Sequence, residues 1–172
     1  MSGEWGYSSH RKGISLETQA AFSVRQQLVN LLNGVPLSIW YDWKNDGEDI
    51  NENEHNFGTV FPDLKPKPAY QAIKTLAHEL AGCKVQDKVQ LEQEGDYLII
   101  LGPDKESRKL TAWTTGEPHE VMVRLSKSAP AGMKGIKGNG DHFEPVVSSG
   151  GLALDLTGLP QYIDLGGAVV KR

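Results

Sequence analysis

Two patterns of apolar and polar positions divide the chain. In the first half, apolar residues recur at helical spacing around a short aromatic run. In the second half they form short runs separated by turn residues. Ser15 is placed to cap a helix over Leu16 to Asn33, because a serine hydroxyl there accepts from an unpaired N–H of the first turn. Ala20, Val24, Leu28 and Leu31 fall on one face of that helix. Gly34 follows where a helix end favours a left-handed residue. Val35 to Trp43 (VPLSIWYDW) reads as a buried strand, with Pro36 tolerable near its start. A polar loop then runs from Lys44 to about Lys67, and loops of that length are often functional. Pro68 suits the first turn of a second helix. Tyr70, Ile73, Ala77 and Leu80 form its apolar stripe, and Gly82 ends it. The first half therefore reads loop–helix–strand–long loop–helix, the order of an α/β unit.

From Lys84 onward the pattern predicts strands over Lys84–Leu91, Tyr97–Leu101, Lys109–Thr114, Glu120–Leu125, Gly151–Leu156 and Gln161–Leu165. Regularly spaced short strands with turn clusters between them predict a β-sandwich or a small barrel. The stretch Gly132 to Gly140 (GMKGIKGNG) reads as a flexible turn, since a phosphate-binding loop needs a strand before it and a helix after it. The expected domains are therefore 1–82, α/β, and 83–172, all-β.

Charge and composition remove several function classes. The net charge is -4 and the pI about 5.7, whereas nucleic-acid binding calls for a basic patch. No apolar run is long enough to span a membrane as a helix. The start, MSGEWGYSSH, lacks the basic-then-apolar order of a signal peptide. Cys83 is the single cysteine, so neither an intrachain disulfide nor a cysteine-based zinc site is available.

Three clusters could carry chemistry. Glu4 is followed by Trp5, Gly6 and Tyr7; a carboxylate crowded by aromatic rings at a strand end suits the attack on, or stabilisation of, an oxocarbenium-like centre. Trp40, Tyr41, Asp42, Trp43, Asn45 and Asp46 leave the apolar strand together. Alternation cannot bury all three rings on one side, so at least one should face a cleft. Glu52, Glu54, His55, Asn56, Phe57 and Gly58 form a loop of carboxylates around one histidine. Its spacing fits no standard metal signature. No order of Ser, His and Asp argues for a hydrolase triad.

The segments SGEWGYSS, QAAFSVRQQLVNLLNGVPLSIWYDWKNDGED and ENEHNFGTVFPDLKPKPAYQAIKTLAHELAG, in this order, resemble the last strands and helices of clan A glycoside hydrolases. The cellulase-like family 5 and xylosidase-like family 39 are the nearest. The segment GLALDLTGLPQYIDL resembles the closing strand pair of the β-sandwich that often follows such barrels, with Pro160 and Tyr162 in place. The resemblance implies the last βαβα portion of a (β/α)8 barrel followed by a β-sandwich. It implies Glu4 as the nucleophile position at the tip of strand seven. Trp40 is the match for the aromatic floor of the sugar subsite, and Trp5, Tyr41, Trp43, Asp46 and His55 are its neighbours. A carbohydrate ligand is expected, and no cofactor or metal.

The same resemblance implies an incomplete enzyme. The general acid/base of such enzymes sits near the end of the fourth strand, commonly in an Asn-Glu pair. Asn51-Glu52 and Asn53-Glu54 lie after strand eight and do not replace it. The chain is too short for a barrel plus a second domain. It is expected to be inactive alone and open to self-association through the exposed barrel edge; its compartment stays open, a secreted or periplasmic place being expected only of a full-length parent. The competing expectation is a non-catalytic carbohydrate-binding or packing module, which an exposed Trp113 or Tyr97 would favour. Trp113, on the apolar run LTAW, is expected in the core.

Overall fold

The computed structural model describes residues 1–126, 132–149 and 151–171. The chain divides into two compact units, Met1–Ala77 and His78–Arg172.

The first unit begins with strand β1 (Ser2–Trp5), continues through helix α1 (Leu16–Leu32) and returns in strand β2 (Ser38–Trp40). β1 and β2 pair in parallel, as a helical crossover requires. The Ser15 hydroxyl accepts from the Thr18 N–H at 3.1 Å, and Glu17 lies in the positive first turn. Ala20, Val24 and Leu28 are buried as expected. Leu31 is exposed instead. A helix of 17 residues is about 25 Å long, and a strand of three is about 10 Å, so the last helical turn outruns the sheet. The strand expected over Val35–Trp43 is confined to Ser38–Trp40, because a four-residue β1 supplies few ladder partners.

Helix α2 (Pro68–Glu79) follows the loop, and the boundary between the units falls inside its last turn. Its buried face is Ala69, Ala72, Thr75 and Leu76, not the expected stripe. Ala77 is exposed, and Tyr70, Ile73 and Leu80 are half-buried. Periodicity weighted by size selects the large residues, whereas close packing of a helix is permitted by the small ones.

The second unit holds nine strands among the described residues: β3 (Lys84–Val89), β4 (Asp96–Gly102), β5 (Arg108–Thr114), β6 (His119–Val123), β7 (Gly135–Lys137), β8 (His142–Phe143), β9 (Val147–Ser148), β10 (Gly151–Leu156) and β11 (Gln161–Gly166). They form a six-stranded antiparallel sheet in the order β3-β4-β5-β11-β7-β8 and a three-stranded one, β6-β10-β9. Leu98, Ile100, Leu110, Ala112, Ile163 and Leu165 of the first share one core with Val123, Leu152, Leu154 and Leu156 of the second. On the other face of the larger sheet, Ile99, Leu101, Trp113 and Tyr162 are buried as well. A sheet covered on both faces explains the unbroken apolar run YLIIL.

Two expectations change here. GMKGIKGNG is not simply a turn: Gly135–Lys137 is strand β7, and only the following residues turn into β8. Gly135 permits that pairing, since a Cβ there would meet the Phe143 ring. GLALDLTGLPQYIDL is not a strand pair either. β10 pairs with β6 and β9, and β11 with β5 and β7. The Thr157–Pro160 turn carries the chain from one sheet to the other.

Candidate active site

The parallel register brings Trp5 opposite Trp40, so the C-terminal ends of β1 and β2 point the same way. From Ser2 to Trp5 is three steps, against two from Ser38 to Trp40. β1 therefore bulges, and Glu4 absorbs the extra residue with φ of +48°. A left-handed backbone at a residue with a Cβ costs about 1–2 kcal/mol. Such strain and such bulges concentrate next to functional sites, where they re-aim a side chain. Glu4 is exposed.

The Tyr41 N–H donates to the Trp5 carbonyl at 2.7 Å, carrying the pairing one residue past β2. This close approach needs Gly6, because a Cβ there would run into the Tyr41 carbonyl and sit 3.1 Å from the Phe57 ring. Gly6→Ala is expected to cost about 2 kcal/mol, as for an overpacked interior. It should also reduce the near-UV circular dichroism of the aromatic cluster; an unchanged spectrum and urea midpoint would contradict the tight fit.

Aromatic rings line this end. Trp5 is 49% exposed and Trp43 60%. Tyr41 stands edge-on to Phe57 with centroids 5.5 Å apart, and Trp43 edge-on to Tyr70 at 5.7 Å. Trp40 is half-buried, 6.2 Å from Tyr7, and its Nε1 is buried without a partner among the described residues. The residues predicted from sequence meet electrostatically at Tyr41. Asp46, burial, Asp42, Glu54 and Glu4 together hold its phenol above the ordinary range. Asp42 is itself raised, first by burial and then by Asp46, and its Oδ1 is buried without a partner among the described residues. His55 sits in a 3-10 turn over Glu54–Asn56, with its ring against Gly47. Among the described residues no group of three or more His, Cys, Asp or Glu is placed to hold a metal ion.

Sequence reasoning missed what holds the long loop. Lys67 is buried, and its ammonium donates to Asn45 Oδ1 at 2.6 Å, Ser9 Oγ at 3.1 Å and the Asn56 carbonyl at 3.3 Å. Gln19, buried on α1, donates to the carbonyls of Tyr7 (2.8 Å), Phe57 (3.2 Å) and Asn56 (3.3 Å). Asn56 donates to the carbonyls of Glu52 (2.7 Å) and Asp49 (2.9 Å). Beside the loop's own backbone hydrogen bonds, Gln19, Asn56 and Lys67 thus satisfy carbonyls of its backbone, while Asn45 ties Lys67 to Asn56 through side chains alone. No sequence signal separates these four from surface residues of the same type.

No family model matches the sequence, and no curated protein matches it. Solved structures do. A family 39 glycoside hydrolase from the gut symbiont Bacteroides cellulosilyticus superposes with a TM-score of 0.81 at 30% identity over 94% of this chain. A family 30 endoxylanase from Clostridium papyrosolvens superposes with a TM-score of 0.62 at 10% identity over 96% of it. The fold is thus related to that of glycoside hydrolases. The chain spans 32% of the first structure's length and 41% of the second's.

Proposed function

We propose that this chain is the C-terminal portion of a retaining β-glycosidase: the last strand–helix units of a (β/α)8 barrel, followed by a β-sandwich. The observation that carries this reading is the bulged strand end, where Glu4 lies beside Trp5 and Tyr41 on parallel strands. Barrel enzymes place their chemistry at that end of their strands. In this reading the Glu4 carboxylate attacks the anomeric carbon, the bond to the leaving oxygen breaks, and a glycosyl ester forms. Water then releases the sugar with retention. Trp40, Tyr41 and Trp43 build the subsite with Trp5 and Asp46, and the loop at His55 borders its mouth.

The leaving oxygen needs a proton from a second carboxyl about 5–5.5 Å away. In this reading an earlier barrel strand supplies it, so the isolated chain is inactive. The reading also accounts for the apolar side chains exposed on the first unit, among them Leu37 and Ile39. Further barrel strands would cover them, and in their absence so would a second copy.

The test has two arms. The isolated chain should not turn over aryl β-glycosides; turnover lost in Glu4→Gln would overturn the inactivity. Supplied with the earlier barrel units on a second polypeptide, the chain should regain hydrolysis. A fluorinated aryl β-glycoside that traps glycosyl-enzymes should then add mass to the peptide containing Glu4. Labelling elsewhere, or hydrolysis that survives Glu4→Gln, would overturn the assignment of the nucleophile.

A further inference from the structure

The second unit contains a groove of about 880 Å³ between the edge strands of its two sheets, with β3 and the following turn on one side and β6 on the other. Asp96 lies in its wall with a side chain only 1% exposed. Its Oδ2 accepts from His119 Nε2 at 3.0 Å, while Oδ1 is buried and has no hydrogen-bond partner among the described residues. The other ring nitrogen, Nδ1, faces the Glu117 carbonyl oxygen at 2.9 Å. The Glu117 carbonyl only accepts, so Nδ1 carries a proton; against an ionised Asp96 carboxylate Nε2 carries one too, and these two contacts favour the His119 cation and hold its pKa above the ordinary range.

The charge of Asp96 is therefore already balanced. Its free Oδ1 suits a neutral hydrogen-bond donor better than a second cation. Gln90, Glu92, Gln93, Glu120, Arg124 and Lys171 also line the groove, so its rim carries charges of both signs. Amide and carboxylate planes of this kind can meet neighbouring hydroxyls in pairs. Met122, 46% exposed, supplies an adaptable apolar wall.

We propose that this groove binds a neutral polyhydroxyl ligand, a stretch of saccharide chain, with Asp96 Oδ1 accepting from one of its hydroxyls. The choice of saccharide among polyols rests on the glycosidase reading; the groove chemistry does not. Trp113 is fully buried and stacked on Tyr97 at 4.6 Å, and no Trp, Tyr or Phe is among the described residues that line the groove. Binding without an aromatic platform is weak, with a dissociation constant on the order of 1 mM.

The experiment is a titration of the isotope-labelled full chain with xylohexaose to on the order of 10 mM, followed by amide NMR. Saturable shifts are expected at Gln93, Asp96, His119 and Glu120. Asp96→Asn should weaken binding about tenfold, as for a lost charged hydrogen bond. Gln93→Ala, at an exposed turn, should weaken it less and leave the fold intact. Absence of saturable shifts at these amides overturns the proposal, as do shifts confined to the surroundings of Glu4 and Trp43. So does binding unchanged in both variants, or shifts produced by an extended neutral peptide and not by the saccharide. If the groove stays silent while the complemented chain regains Glu4-dependent hydrolysis, the glycosidase reading stands and only the groove assignment falls.

Discussion

Lys109→Met is expected to destabilise the second unit by about 3–5 kcal/mol, the cost of leaving one partner of a buried ion pair alone. Lys109 Nζ lies 2.6 Å from Glu79 Oε2 and 3.2 Å from Asp164 Oδ1, and the Glu79 side chain is only 7% exposed. Burial pushes the Glu79 carboxyl up, yet hydrogen bonds from Lys109 and His78 outweigh it and hold the group below its ordinary range. Burial likewise pushes Lys109 down, and the hydrogen bonds and charges of Glu79 and Asp164 together more than reverse this. Without the ammonium, Glu79 must bind a proton or remain charged in a poor solvent. The indole signal of Trp113 in a urea titration reports the loss, because the other tryptophans lie in the first unit. The double variant Glu79→Leu, Lys109→Met should recover most of it, since removing both partners leaves no stranded charge. A double variant as unstable as the single one would show that packing, not charge, causes the loss.

Lys67 supplies the second large effect, with the opposite sense. Burial lowers its pKa from 10.5 to about 8, and the Asp42 carboxylate opposes this only in part. Between those two values the unfolded lysine holds a proton that the folded one has released. Stability therefore rises with pH across that window, by roughly 3 kcal/mol for a shift of this size. Hydrogen exchange in α1 and β2, compared at pH 7.5 and pH 10 by dividing out intrinsic rates, should show the gain (these two pH values are set on the order of the window's ends). Lys67→Met should flatten the slope. The difference between variant and parent also cancels Lys65, which its partner Asp63 raises and whose contribution is lost only above its unfolded value. A slope that persists in Lys67→Met would place the titrating group elsewhere.

The two predictions mark where sequence reading loses sight. Glu79 and Lys109 lie 30 residues apart, and each alone looks like a solvated surface charge. Lys67 and Gln19 are residue types that usually face water, yet both are buried because the long loop needs its carbonyls satisfied. The left-handed φ at Glu4 is equally hidden. It follows from a one-residue mismatch between β1 and β2, which no local pattern around Glu4 encodes. Leu31 and the face of α2 show a related limit: periodicity locates a stripe, but the neighbouring element decides how much of it is covered.

By itself the sequence determined the two helices, the cap at Ser15, six of the nine strands described from Lys84 onward (β7, β8 and β9 escaped it), the aromatic cluster at Trp40–Trp43 and the candidacy of Glu4. Each of these depends on residues within a turn or a strand of one another, where propensity and spacing act directly. Only the tertiary structure decided the rest. It placed β10 and β11 in different sheets, set Trp5 opposite Trp40, gathered Lys67, Asn45, Asn56 and Gln19 under the loop, and left Asp96 with an unpaired oxygen beside His119. These are long-range pairings, selected by the burial and hydrogen-bond satisfaction of the whole unit, and no short stretch of chain contains that information.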